Sequence, residues 1–171
     1  MLRALRPRVV GHFDLVRLFS SSSSSRELEE EEEEEKEKEE GGAAGGAVGW
    51  KQKWKGVWER VVRNLAVVRE YGGWLECNTS ALRKGLAEAY PMGEIAREWV
   101  AMGGRFTMSD DSHGIAQVAT NYHRGLDYLE GLGVKEVWTL ERRGVGEGGK
   151  AEVVEKSVSI EEFRASLRLD Y

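Results

Sequence analysis

MGGRFTMSDDSHG, residues 102–114, places a helix end, a buried strand and a polar loop in immediate succession. Gly103 and Gly104 can adopt the left-handed backbone that closes a helix. Arg105 to Ser109 follows as a short apolar-centred run of strand length. Asp110, Asp111, Ser112 and His113 then gather two carboxylates and an imidazole just past the strand's carboxyl end, where α/β folds collect their reactive groups. The spacing of Asp111 and His113 lets a hard oxygen and a nitrogen donor from one loop reach the same cation. Alone, that spacing is more often a solvated or capping arrangement, so the neighbouring segments have to decide.

Upstream, Pro91 opens a predicted helix carrying Ile95, Trp99 and Met102, and Trp74 to Asn78 forms a predicted strand before it. Further back, Trp50, Trp54, Val57, Trp58, Val61, Leu65 and Val68 recur at three- and four-residue steps up to Gly72 and Gly73. That spacing makes one apolar helical face, so its tryptophans read as core rather than as an aromatic ligand platform. Val9 and Val10 end a short strand that runs into Gly11 and His12. Downstream, Val118, Tyr122, Leu126 and Leu129 predict a helix ending near Gly131 or Gly133, and Val137 to Leu140 a further strand. Ser159 and Glu162 have capping-box spacing ahead of Phe163 and Leu167. Strand and helix alternate throughout, which predicts an α/β fold with about four parallel strands joined by crossover helices. Four strands alone would leave exposed sheet edges, so the expectation is an incomplete barrel occupying residues 1–171 as one partial domain. Residues 142–157 are expected to be a flexible loop.

The chain has 171 residues and a formal charge of -5. From Arg26 to Glu40, eleven Glu stand against Arg26, Lys36 and Lys38, a local charge of -8 that leaves +3 for the remainder. Residues 20–49, rich in Ser, Glu and Gly, form a low-complexity block without enough apolar surface to offset ordering entropy, and are predicted to be a disordered surface insertion. A mildly basic remainder suits an anionic small molecule and is too weak for nucleic acid. A single cysteine, Cys77, leaves no internal disulfide and no cysteine-cage zinc site. No apolar run has the length of a membrane span. The expectation is a soluble cytoplasmic protein. The Arg- and Ser-rich segment up to Ser25 carries a competing expectation, a mitochondrial presequence.

His12 follows the first strand, Asn78 ends the second, and Asp110, Asp111 and His113 follow the third, so all converge on one end of the predicted sheet. Asp110 is expected to orient the loop, Glu76 to play a structural part inside the fold, and Cys77 to pack as a small apolar residue. His123, on a helix away from the strand ends, reads as a surface histidine.

Four blocks carry a resemblance: VVGHFDLVRLF (9–19), WLECNTSALRKG (74–85), MGGRFTMSDDSHG (102–114) and QVATNYHRGLDYL (117–129). In these the chain resembles the polymerase and histidinol phosphatase superfamily, and within it the fungal histidinol-phosphate phosphatases, in their carboxy-terminal part. The resemblance implies a distorted (β/α)7 barrel with up to three divalent cations, of zinc, manganese or iron, at the strand ends. It implies His12, Asp111 and His113 as metal ligands and Arg17 and Arg83 as phosphate-binding groups, a role suited to the planar guanidinium fork. The implied activity is hydrolysis of the small phosphate ester L-histidinol phosphate to L-histidinol and phosphate in histidine biosynthesis. The family's opening His-x-His pair, and the histidine and glutamate ligands before its Gly-His-x-Asp block, have no counterpart in the sequence. Three ligands are expected to hold at most one ion weakly, so the alternative expectation is a non-catalytic remnant of that enzyme.

Overall fold

Val9–Val10 (β1), Trp74–Asn78 (β2) and Arg105–Ser109 (β3) lie side by side in sequence order as a parallel sheet. Val9 pairs with Trp74, and β2 runs in register with β3 from Trp74 opposite Arg105 to Asn78 opposite Ser109. Parallel neighbours require a crossover. The helix Lys55–Glu70 lies between β1 and β2 in the chain, and the helix Gly93–Ala101 between β2 and β3. The computed structural model describes residues 1–15, 51, 55–145 and 151–167. The expected insertion at 20–49, with Arg17, Trp50 and Trp54, lies outside the described residues.

In chain order the helices are α1 (Leu2–Leu5), α2 (Lys55–Glu70), α3 (Ser80–Arg83), α4 (Gly93–Ala101), α5 (Tyr122–Gly131) and α6 (Ile160–Ser166). The apolar stripe of α2 buries Trp58, Leu65, Val67 and Val68, while α4 buries Ile95, Ala96 and Trp99. Of these, Trp58, Leu65, Val68, Ile95, Ala96 and Trp99 meet Leu75, Cys77 and Phe106 of the sheet and Leu126 and Leu129 of α5 in one core. Each large side chain fully buried there contributes about 1.5–3 kcal/mol. Trp99 is completely buried, and its indole N–H donates to the Arg105 carbonyl at 3.0 Å. A Cβ on Gly104 would stand 2.1 Å from Trp99 Cε2, so only glycine lets the chain turn from α4 into β3 over that ring.

The expected fourth parallel strand is corrected by the structure. Glu136–Val145 (β4) pairs antiparallel with Ala151–Ser159 (β5), so Val137–Leu140 belongs to a hairpin rather than to the parallel sheet. The expected loop at 142–157 is strand on both sides of residues 146–150, which lie outside the described residues. β5 is largely exposed, and a strand with little buried surface shows no clean alternation of apolar and polar residues. The hairpin is tied to the starts of the parallel strands. Arg105 stacks 3.8 Å over the Trp138 ring, Trp74 lies 5.9 Å from it, and Glu155 pairs with Arg8 at 3.0 Å and Arg105 at 3.5 Å. Val118, expected on the helical face, precedes α5 and is exposed. The fold is thus mixed α/β, with three parallel strands and an antiparallel pair. No helix among the described residues is long and apolar enough to cross a membrane.

Candidate active site at the strand ends

The carboxyl ends of β1, β2 and β3 bring His12, Asn78 and the 110–113 loop together. His12 Nε2 stands 3.2 Å from Asp111 Oδ2, although almost a hundred residues separate them in sequence. The Asn78 side chain is fully buried; its Oδ1 accepts from the Ser80 N–H at 2.8 Å, which fixes the amide so that Nδ2 faces His12 Nε2 at 3.4 Å. Across β1, the Glu76 carboxylate accepts from the His12 backbone N–H at 2.9 Å and lies 3.4 Å from His12 Nδ1. Both His12 and Asp111 have left-handed backbones, φ 51 and 50 respectively, a conformation that β-carbon-bearing residues adopt uncommonly and that tends to accompany function.

The 110–113 loop is held from inside. Asp110 Oδ1 accepts from the Ser112 N–H at 3.1 Å and Oδ2 from the Ala119 N–H, so this carboxylate folds the loop, as its sequence position led one to expect. Arg83 Nη1 donates to the Asp110 carbonyl at 2.8 Å and Nη2 to the Asp111 carbonyl at 3.0 Å. The guanidinium expected on phosphate therefore grips the loop that carries Asp111. Lys84, beside it, places Nζ 3.7 Å from Asp111 Oδ2. Burial pushes the Asp111 carboxyl up, but the hydrogen bond to His12 and the charges of His12, His113 and Lys84 outweigh it and hold the group below its ordinary value.

His113 does not join this meeting. Its Nδ1 lies 2.8 Å from the Asp111 carbonyl, its backbone N–H donates to Gln117 Oε1, and the residue is exposed. Among the described residues, no group of three or more His, Cys, Asp or Glu side chains is placed to hold a metal ion. The pair His12 and Asp111 still has a suitable character for one: an imidazole nitrogen faces a carboxylate oxygen at 3.2 Å, a separation that a proton or a cation can bridge. Arg17 lies outside the described residues. Asp14, the acid of the Gly-His-x-Asp block, accepts from the Met92 N–H at 2.8 Å just before α4, a structural task. Burial and the Glu76 charge push the Cys77 thiol up to about 12, so it packs as an inert apolar group. His123 is exposed. Beside His12, a cavity of about 630 Å³ opens between α1, β1 and α2, with Arg3 and Arg63 on its wall.

Glu76 and Lys84 are the residues whose place at the site was not foreseen. Alternation along Trp74–Asn78 put Glu76 on the opposite face from Leu75 and Cys77, which was the available hint; Lys84 follows Arg83 with no distinguishing pattern.

No family model matches the chain. It is 35% identical over 161 residues to the probable histidinol-phosphatase of Schizosaccharomyces pombe, covering 94% of this chain and 44% of that protein. The chain is similar to histidinol-phosphatases. A second, from Saccharomyces cerevisiae, is 38% identical over 130 residues, covering 75% of this chain and 38% of that protein. The chain spans less than half the length of either histidinol-phosphatase, and the 94% match takes in the strand-end residues on both sides of the His12–Asp111 contact.

Proposed function

We propose that this chain is the carboxy-terminal part of a metal-dependent histidinol-phosphate phosphatase and supplies one side of its site. The observation that carries the reading is the contact of His12 Nε2 with Asp111 Oδ2 at the ends of β1 and β3, the strands on either side of β2, in a chain similar to two histidinol-phosphatases. His12 and Asp111 would hold one divalent ion, of zinc, manganese or iron, with His113 as a third donor after its ring turns from the Asp111 carbonyl. Such an ion supplies charge for the phosphoryl oxygens and lowers the pKa of a bound water. The chain's own residues do the rest. Glu76 and Asn78 fix the His12 ring, Asp110 and Arg83 fix the Asp111 backbone, and Lys84 brings a positive charge to the same carboxylate. Arg83 through its Nε–H, and Arg17, are the proposed donors to substrate phosphate. The substrate is a small phosphate ester, and the barrel of the resembled superfamily is the proposed context for the three parallel strands.

The test is a chimaera in which this chain replaces the matching segment of the Schizosaccharomyces pombe relative. Phosphate release from L-histidinol phosphate is expected in the folded chimaera with added manganese or zinc. His12→Ala and Asp111→Ala should each abolish most of it. A folded chimaera that is inactive beside an active parent, or that keeps full turnover in both variants, overturns the reading.

A further inference from the structure

We propose that Glu76 is a positioning residue that clamps His12, committing Nδ1 so that Nε2 alone is presented to Asp111 and to a cation. For the cation, this rests on the ligand reading of His12 given above; for the ring, it rests on the geometry alone. One oxygen, Glu76 Oε2, accepts from the His12 backbone N–H at 2.9 Å and lies 3.4 Å from its Nδ1. A single carboxylate thus grips both main chain and ring of a residue whose φ is 51. From the other side, Asn78 Nδ2, an atom that can only donate, faces Nε2 at 3.4 Å. That amide is oriented by the Ser80 N–H on its Oδ1. With Asn78 donating, the proposed neutral ring has Nε2 as the acceptor and Nδ1 carrying the proton, directed at Glu76, against the rival tautomer in which Nε2–H donates to Asp111 Oδ2 at 3.2 Å. The approach is built into the backbone as well. A Cβ on Gly11 would stand 2.9 Å from Glu76 Oε2, so glycine at that position is what lets the carboxylate reach under His12. The Glu76 side chain is only 12% exposed, which keeps water from competing for its oxygens. A carboxylate behind a ligating histidine fixes the ring and raises its basicity as a donor.

The test reads the His12 tautomer by nitrogen-15 resonance in the full, metal-free chain at about pH 9, above the ordinary histidine range. The Nδ1–H form is expected to dominate in the wild type and in Glu76→Gln, whose amide oxygen still accepts. It should give way to the Nε2–H form in Glu76→Ala and in Gly11→Ala, which displaces the carboxylate without altering β2, so that one variant can answer if the other fails to fold. In parallel, titration with zinc should show affinity falling roughly 10- to 100-fold in Glu76→Ala, with Glu76→Gln between. A dominant Nε2–H form in the wild type, or an unchanged tautomer in whichever of Glu76→Ala and Gly11→Ala folds, overturns the clamp. Unchanged zinc affinity in His12→Ala overturns the ligand reading instead, and the tautomer then decides the role of Glu76 by itself.

Discussion

Asp111 is the residue at which the loop's charges meet, and its acid behaviour follows from them. Its carboxyl is held below the ordinary value because its contacts with His12, His113 and Lys84 outweigh burial. A carboxyl depressed by folding contributes stability that is present above the unfolded value, about 4, and is lost as the pH falls through the lower folded value. Asp111→Asn should therefore weaken the chain near neutrality more than at about pH 3, approaching the unfolded carboxyl's protonated state. Urea unfolding of wild type and variant at both pH values checks this; an equal loss at both would show that charge is not what Asp111 contributes. Arg83 is bound to the same loop by two charge-assisted hydrogen bonds to carbonyls. Arg83→Ala is accordingly expected to cost about 1.5–3 kcal/mol of stability in addition to any loss of phosphate affinity. In the chimaera, a raised KM beside little change in thermal midpoint would favour a pure phosphate role over the loop contact.

At the scale of elements, the α4–β3 junction and the start of α6 give a contrast between packing and capping. Gly104 sits against the buried Trp99 ring, and an added methyl has nowhere to go without moving that ring or the strand. Gly104→Ala is expected to destabilise by about 1–3 kcal/mol through overpacking. Ser159 Oγ accepts from the Glu162 N–H at 3.1 Å, the cap that the sequence spacing foresaw. Ser159→Ala should cost about 1 kcal/mol, and the lost cap bond involves neither His12 nor Asp111. Denaturant midpoints at constant slope measure both. A smaller effect for Gly104→Ala than for Ser159→Ala would mean that the Trp99 ring is less constrained than its complete burial implies.

For the whole molecule, the donor count governs what the chain can do unaided. Two donors meet, and no described group of three is placed to hold an ion. A single weakly held cation cannot stabilise both attacking and leaving oxygens of a phosphoryl transfer, which forfeits much of the acceleration that paired ions give. The 171-residue chain expressed alone is therefore expected to release phosphate from L-histidinol phosphate far more slowly than the full-length relative, measured with monodisperse protein and added manganese or zinc. Robust turnover that disappears in His113→Ala would overturn that expectation and show a working site assembled by this chain, including across an oligomer.

Periodicity and punctuation in the sequence were enough for the three parallel strands, the helices α2, α4 and α5, the Ser159 cap and the placement of His12, Asn78 and Asp111 at one end of the sheet. Those features are local: a 3.6-residue stripe, a glycine pair or a strand end is encoded within a few residues of where it acts. The pairing of β4 with β5 was not legible, because β5 is largely exposed and has no buried side to impose alternation on its residues. The roles of Glu76, Lys84 and Arg83 were not legible either. Whether a carboxylate reaches under a histidine 64 residues away, or a guanidinium grips a loop 27 residues on, depends on backbone paths brought together by the core. The sequence by itself determined which elements form and which polar residues stand at their ends. Only the tertiary structure decided which of those residues touch, since distance and direction between segments are set by packing that no local pattern records.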